Sequence, residues 1–343
     1  TAKLAVNAGA GTDTLVIGDA NDVSSAADGA RYTGFEALEV TATGTQDVSL
    51  VSGIEAVTVK AASAISAVTL SNMDATNANA ITVSTEVDGE FKVSLKNATG
   101  TADSATINAS SATASSNVNI EDIDVAGIET LTLNATTGTS GTDSVFDIDS
   151  GGADKLTSLT INGSADVDFN TSGAIEKGVT IDATSLTGDL TFAGNLVKGS
   201  AVKTGAGKDA VTTTAAVTGT AGEFVTYDTG AGKDTITTTL AALHNVDSTK
   251  ASVKIAGGDG TDTLVMGAED RTFTDASFQY VTGIETIQFE DEDKDYSFIS
   301  GSNINANFAS AIKLDFDTGL ASGVDNDKAV NVDLGAYTGD ATV

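Results

Sequence analysis

Apolar residues in this chain come in short alternating runs. Val57-Thr58-Val59, Val68-Thr69-Leu70, Ile81-Thr82-Val83 and Phe91-Lys92-Val93-Ser94-Leu95 are followed by Leu131-Thr132-Leu133, Leu159-Thr160-Ile161, Val179-Thr180-Ile181 and Leu190-Thr191-Phe192. β-Branched and aliphatic residues alternate with Thr and Ser, and Gly, Asn and Asp interrupt them, which is the pattern of half-buried strands. No long segment carries a 3.6-residue period, and the stretch Thr235–Asn245 predicts one or two helical turns. Strand centres recur about every 10 to 14 residues, a spacing that suits a sandwich, a barrel or a solenoid.

The loops favour the last of these. Thr204-Gly205-Ala206-Gly207-Lys208-Asp209, Thr229-Gly230-Ala231-Gly232-Lys233-Asp234 and Gly257-Gly258-Asp259-Gly260-Thr261-Asp262 share one spelling, and each is followed by an apolar β-former: Val211, Ile236 or Leu264. A further copy, Ala8-Gly9-Ala10-Gly11-Thr12-Asp13 with Leu15, lies near residue 1. The three clustered aspartates are 25 and 28 residues apart. Equivalent points on successive coils of a β-solenoid stack about 4.8 Å apart, so coils of this length put Asp209, Asp234 and Asp262 in one column. A series of sandwich modules gives no reason for such repetition.

A longer repeat points to duplication of one supersecondary unit. Gly11-Thr12-Asp13-Thr14-Leu15-Val16-Ile17-Gly18 matches Gly260-Thr261-Asp262-Thr263-Leu264-Val265-Met266-Gly267 at an offset of 249. The same offset relates Gly34-Phe35-Glu36-Ala37-Leu38 to Gly283-Ile284-Glu285-Thr286-Ile287. Related motifs stand at Gly53-Ile54-Glu55 and Gly127-Ile128-Glu129, with degenerate loops at Gly141-Thr142-Asp143 and Gly151-Gly152-Ala153-Asp154. The resulting organisation is a loop–strand unit over 1–40, Ala/Thr/Ser-rich strands over 41–200, a cation-loop solenoid over 201–290 and a terminal β segment over 291–343.

Glycines permit positive φ and turn carbonyls inward, and the aspartate adds a carboxylate, so these loops suit a hard cation, Ca²⁺ above all. The candidate ligands are Asp13, Asp209, Asp234, Asp259 and Asp262, with the loop glycines Gly9, Gly11, Gly205, Gly207, Gly230, Gly232, Gly258 and Gly260. Glu36 and Glu285 have two readings: outward polar residues at a strand start, or carboxylates completing a neighbouring Ca²⁺ shell. Lys208 and Lys233 alternate to the other face. Asp19, Asp22 and the run Glu290-Asp291-Glu292-Asp293 with Asp295 read as solvated acidic loops or weak cation sites.

Charge reinforces this reading. The chain of 343 residues has 48 acidic and 17 basic side chains, a formal charge of −31 that divalent cations would relieve. With two arginines, Arg31 and Arg271, nucleic acid is excluded as a partner, and an anionic membrane would repel the chain. There is no cysteine and no proline, and the single histidine, His244, leaves no imidazole cluster for zinc or a catalytic triad. No run approaches the roughly 18 apolar residues of a membrane span. Residues 1–20 carry no basic and apolar leader, and with Thr1 first the chain reads as an internal or processed segment. No His-Glu-x-x-His, Gly-x-Ser-x-Gly or phosphate loop is present, so no enzyme is expected.

In its loops and Gly-Ile-Glu-Thr-Leu motifs the chain resembles the RTX (repeats-in-toxin) proteins of Gram-negative bacteria, and most of all their crystalline surface-layer proteins of the Caulobacter type. The family nonapeptide Gly-Gly-x-Gly-x-Asp-x-U-x, U being a large apolar residue, matches Gly257–Val265 fully, and Thr204–Thr212 and Thr229–Thr237 except at the first glycine. The resemblance implies an elongated parallel β-solenoid or β-roll-like fold, type I export, folding on external calcium, and Ca²⁺-bridged self-assembly into an S-layer at the cell surface. It also implies attachment to surface polysaccharide or lipopolysaccharide through another part of the protein. The family's toxins stack their nonapeptides in tandem, whereas these loops are a whole coil apart. A glycan-binding RTX adhesin and the calcium-binding carrier domain of a secreted enzyme are the alternatives.

Overall fold

The computed structural model describes residues 4–110, 118–136, 144–148, 153–171, 175, 178–213, 224–243, 253–267, 272–289, 296–308, 311–316 and 330–342. It is an all-β parallel solenoid with a few short helices. The chain divides into two compact units, Thr1–Val179 with Ser185–Gly188, and Thr180–Thr184 with Asp189–Val343.

In the first unit successive strands alternate between two parallel sheets. One runs Thr14–Ile17, Ala37–Val40, Ala56–Val59, Ile81–Val83, Ser104–Ala109, Thr130–Ala135 and Ser158–Gly163. The other runs Gly44–Asp47, Val68–Met73, Val87–Leu95, Ile120–Asp124, Ser144–Ile148 and Val167–Thr171. Period-2 alternation puts one face of each strand inside. Val57, Ile81, Ile107, Leu133 and Ile161 therefore stack in register through successive coils, all at 0% exposure. Burying each such side chain contributes about 1.5–3 kcal/mol, and the column repeats that gain at every coil. Outside, Asn134 Nδ2 donates to Asn108 Oδ1 at 2.8 Å and Asn162 Nδ2 to Asn134 Oδ1 at 3.0 Å. In-register stacking brings identical amides together without a turn to hold them.

The second unit repeats the scheme. Its first sheet comprises Thr180–Asp182, Ala201–Lys203, Val225–Asp228, Val253–Ala256 and Val281–Thr282. Its second comprises Leu190–Ala193, Ala210–Thr212, Thr235–Thr238, Thr263–Met266, Thr286–Phe289, Ala311–Phe316 and Asp340–Thr342. A further sheet joins Thr272–Phe273, Tyr296–Ile299 and Val330–Asp333. Val211, Ile236, Leu264, Ile287 and Leu314 form the buried column here. The expected helical turns shrink to Leu240–Leu243, because Thr235–Thr238 is a strand held in register between Ala210–Thr212 and Thr263–Met266. Asn245 and His244 lie outside the described residues.

Candidate functional site

The 249-residue repeat corresponds to one structural step made twice. Thr14 pairs with Ala37 and Thr263 with Thr286, each across 23 residues. At each step the coil corner is closed reciprocally. The Asp13 amide donates to Glu36 Oε2 at 2.9 Å, and the Glu36 amide donates back to the Asp13 carbonyl at 3.1 Å. Asp262 and Glu285 do the same at 2.8 and 3.2 Å. A third pair, Asp103 and Glu129, closes at 2.8 and 3.0 Å. These glutamates accept a main-chain N–H from the coil before them, a role neither sequence reading contained. Glu55 is exposed, as an outward residue should be.

Between Leu190 and Glu285 the same bond runs through the three nonapeptide loops. The Leu190 amide donates to Asp209 Oδ1 at 2.7 Å, Asp209 to Asp234 Oδ1 at 2.8 Å, Asp234 to Asp262 Oδ1 at 2.9 Å, and Asp262 to Glu285 Oε2. Sequence spacing placed the aspartates in one column, and they are in one, at 1%, 0% and 0% exposure. Every carboxylate points inward and ties its coil to the preceding one.

The second carboxylate oxygen differs from coil to coil. Thr204 Oγ1 lies 2.5 Å from Asp209 Oδ2 and 2.8 Å from the Thr229 carbonyl oxygen. Thr229 occupies the same place beside Asp234, but its hydroxyl donates to the Gly257 carbonyl at 2.8 Å, and no hydrogen bond of that geometry reaches Asp234 Oδ2, which is buried. In the third loop the threonine position is Gly257. A Cβ there would stand 2.9 Å from Asp262 Oδ2, and that oxygen too is buried with no partner. Asp13 Oδ2 is a third such atom.

Burial raises the pKa values of the three column aspartates, Asp209, Asp234 and Asp262. Asp209 is shifted upward by desolvation, against the hydrogen bonds from Thr204 and Leu190. Asp234 is pushed up to about 6, by desolvation first and then by the charges of Asp209 and Asp262, with the Asp209 amide and, more weakly, the nearby Thr229 hydroxyl opposing. Asp262 is raised by desolvation and by the Glu285 charge. Buried anions of one sign stacked in a column are unfavourable unless a proton or a cation meets them.

The glycines fix how closely the loops stack. Gly258, at φ +92°, sits so that a Cβ would lie 1.9 Å from the Gly230 carbonyl oxygen, and one on Gly230, at φ +74°, 2.2 Å from that of Gly205. Gly232, Gly260, Gly9 and Gly11 also have positive φ. Gly205 and Gly207 do not, which corrects the expectation for the first loop; its corner is tied by the Lys208 amide donating to Asp189 Oδ1. Asp259 is exposed and apart from the column, its amide bound to the Gly230 carbonyl at 2.8 Å. Asp13 and Glu36 form their own corner in the first unit.

The donor set suits a hard cation in kind. Asp234 Oδ2 and Asp262 Oδ2 are buried carboxylate oxygens without a hydrogen-bond donor, and the loop carbonyls keep a second lone pair beyond their inter-coil bonds. Carboxylates alone would not complete a shell, since among the described residues no three acidic or imidazole side chains converge. Asp143, Gly151, Gly152 and the acidic run 290–295 lie outside the described residues; Asp154 accepts the Gly127 amide, and Asp22 accepts those of Gly18 and Asp19. Sequence reasoning missed Asp103, the partner of Glu129, because Thr99 and Thr101 stand where the other loops have their two glycines. The signal that would have found it is an aspartate one coil ahead of Gly-Ile-Glu. Comparison of the chain with family models, curated proteins and solved structures finds no match.

Proposed function

We propose that this chain is a structural, non-catalytic segment of a calcium-dependent bacterial surface-layer protein of the RTX kind. In this reading it is exported, folds outside the cell and assembles with copies of itself. One observation carries the reading: Asp234 and Asp262 each hold one oxygen on the neighbouring coil's amide and leave the other buried and unsatisfied. Asp234 and Asp262, with neighbouring carbonyls, would hold Ca²⁺, which would neutralise the column and let a chain of charge −31 stay compact. The protein's own contribution is to bury the two oxygens and fix their height along the coil axis. A cation there would be linked to folding, since the unfolded chain has no such column. Calcium titration of chelator-treated protein tests it, followed by circular dichroism and by electron microscopy of the assembled material. Ordering of the spectrum and growth of two-dimensional sheets on calcium addition are expected. A spectrum and assembly state indifferent to calcium and EGTA would refute it.

A further inference from the structure

The outer face of the sheet formed by Ala201–Lys203, Val225–Asp228, Val253–Ala256 and Val281–Thr282 carries an open cavity of about 400 Å³. Its lining includes Lys203, Asp228, Lys254, Gln279 and Tyr280. Successive coils supply these residues, and register brings them together: Lys203 pairs with Asp228, and Thr226 pairs with Lys254.

Tyr280 is half-exposed, whereas Phe91, Phe146, Phe169, Phe192, Phe273, Phe278, Phe289 and Phe298 are fully buried. Its ring is also braced. Phe224 meets it edge-on, with centroids 4.8 Å apart and planes at 62°. Lys254 Nζ lies 4.3 Å from the Phe224 centroid and 5.7 Å from that of Tyr280. Tyr280 lines the cavity and Phe224, itself half-buried, lies beside it outside the lining. Aromatic and cation contacts of this kind favour one ring orientation before any ligand arrives.

The charges around the ring nearly cancel. Lys203 stands in register between Asp182 and Asp228, and Lys254 makes no ion pair among the described residues, its ammonium resting on the rings instead. In a chain of charge −31 an anionic ligand would be repelled at long range. What remains is a braced aromatic surface ringed by an amide, a carboxylate and two ammonium groups, all able to exchange hydrogen bonds with hydroxyls. A ligand with an apolar C–H face and a rim of neutral hydroxyls has that complement.

We propose that this cavity binds a neutral pyranose of a mono- or disaccharide, its C–H face stacked on Tyr280 and its hydroxyls held by Gln279, Asp228, Lys203 and Lys254. The site is on the outer face of the sheet and is independent of whether the buried aspartates take a metal. Saturation-transfer NMR on the whole chain in calcium buffer tests it, with maltose, cellobiose, lactose and N,N′-diacetylchitobiose as neutral probes and digalacturonate as the charged one. At least one neutral disaccharide should receive saturation at its ring C–H protons. Tyr280→Phe should retain binding, Tyr280→Ala should weaken it about tenfold, as loss of one stacking contact implies, and Gln279→Ala should weaken it less. Circular dichroism checks that Tyr280→Ala is folded; if it is not, the exposed Gln279→Ala decides. No transfer to any neutral probe, undiminished binding by Tyr280→Ala or by Gln279→Ala where that variant decides, or binding of digalacturonate alone would overturn the proposal.

Discussion

Replacing Asp234 by Asn separates the two species that can satisfy the column, a proton or a cation. The folded-state pKa of Asp234 is raised from 3.8 to about 6. The metal-free folded chain therefore binds more protons than the unfolded one between those values, and stability falls as pH rises. The contribution is fully present below the unfolded value of 3.8 and lost as pH passes about 6. A difference of about two units is worth about 3 kcal/mol, or roughly 6–12 °C in the Tm of a unit this size. Thermal melts in EGTA at successive pH values should show that fall concentrated between those two values. The substitution Asp234→Asn keeps an acceptor for the Asp209 amide and removes the titrating proton, so it should flatten the slope in this window. Its absolute stability is not diagnostic, because an unsatisfied amide nitrogen costs about 1–3 kcal/mol. With calcium the sign reverses. A cation needs the deprotonated oxygen and adds about 2.7 kcal/mol at a hundredfold excess over Kd, so the parent should gain stability with pH while Asp234→Asn does not. Equal slopes for parent and variant in EGTA would refute the assignment of that proton to Asp234.

Gly258→Ala should cost several kcal/mol, since it adds left-handed strain of about 1–2 kcal/mol to a Cβ placed 1.9 Å from the Gly230 oxygen. Gly199→Ala, at φ +83° with nothing near its Cβ, should cost only the strain; urea melts giving equal losses would remove the stacking argument. Glu285→Ala leaves the Asp262 amide without its acceptor and should cost about 1–3 kcal/mol, whereas Glu285→Gln should lose far less. Hydrogen exchange at the Asp262 amide reads this directly, and equal exchange in both variants would contradict it. Asn134→Ala breaks both side-chain bonds of the amide ladder and should lower stability by about 1–2 kcal/mol; an unchanged Tm would make the ladder incidental.

The solenoid was legible because its two signals are periodic. Alternation at Val57-Thr58-Val59 or Leu131-Thr132-Leu133 names strands locally, and the 25- and 28-residue spacing of the aspartates names the coil. What each carboxylate does at its corner was not legible. Glu285 after Gly-Ile reads as an outward polar residue or as a carboxylate completing a Ca²⁺ shell, and neither reading contains its bond to the Asp262 amide one coil earlier. The same holds for Thr229 and Gly257, whose difference decides whether a hydroxyl or nothing stands beside the next aspartate. Tyr280, Phe224 and Lys254 carry no motif at all and meet through the register of separate coils. These residues share a cause. In a solenoid the neighbours that set a side chain's chemistry are a coil away, 19 to 28 residues along the chain at these corners, so a local pattern yields the element and leaves the partner open. The reciprocal Asp–Glu corner narrows that gap, because it converts spacing into a rule. Wherever Gly-Ile-Glu or Gly-Phe-Glu follows an aspartate by one coil, the glutamate should accept that aspartate's amide. The rule holds at Asp13, Asp103 and Asp262, although the loops before them, Ala8–Thr12, Ala98–Ala102 and Gly257–Thr261, agree in all three copies at no position.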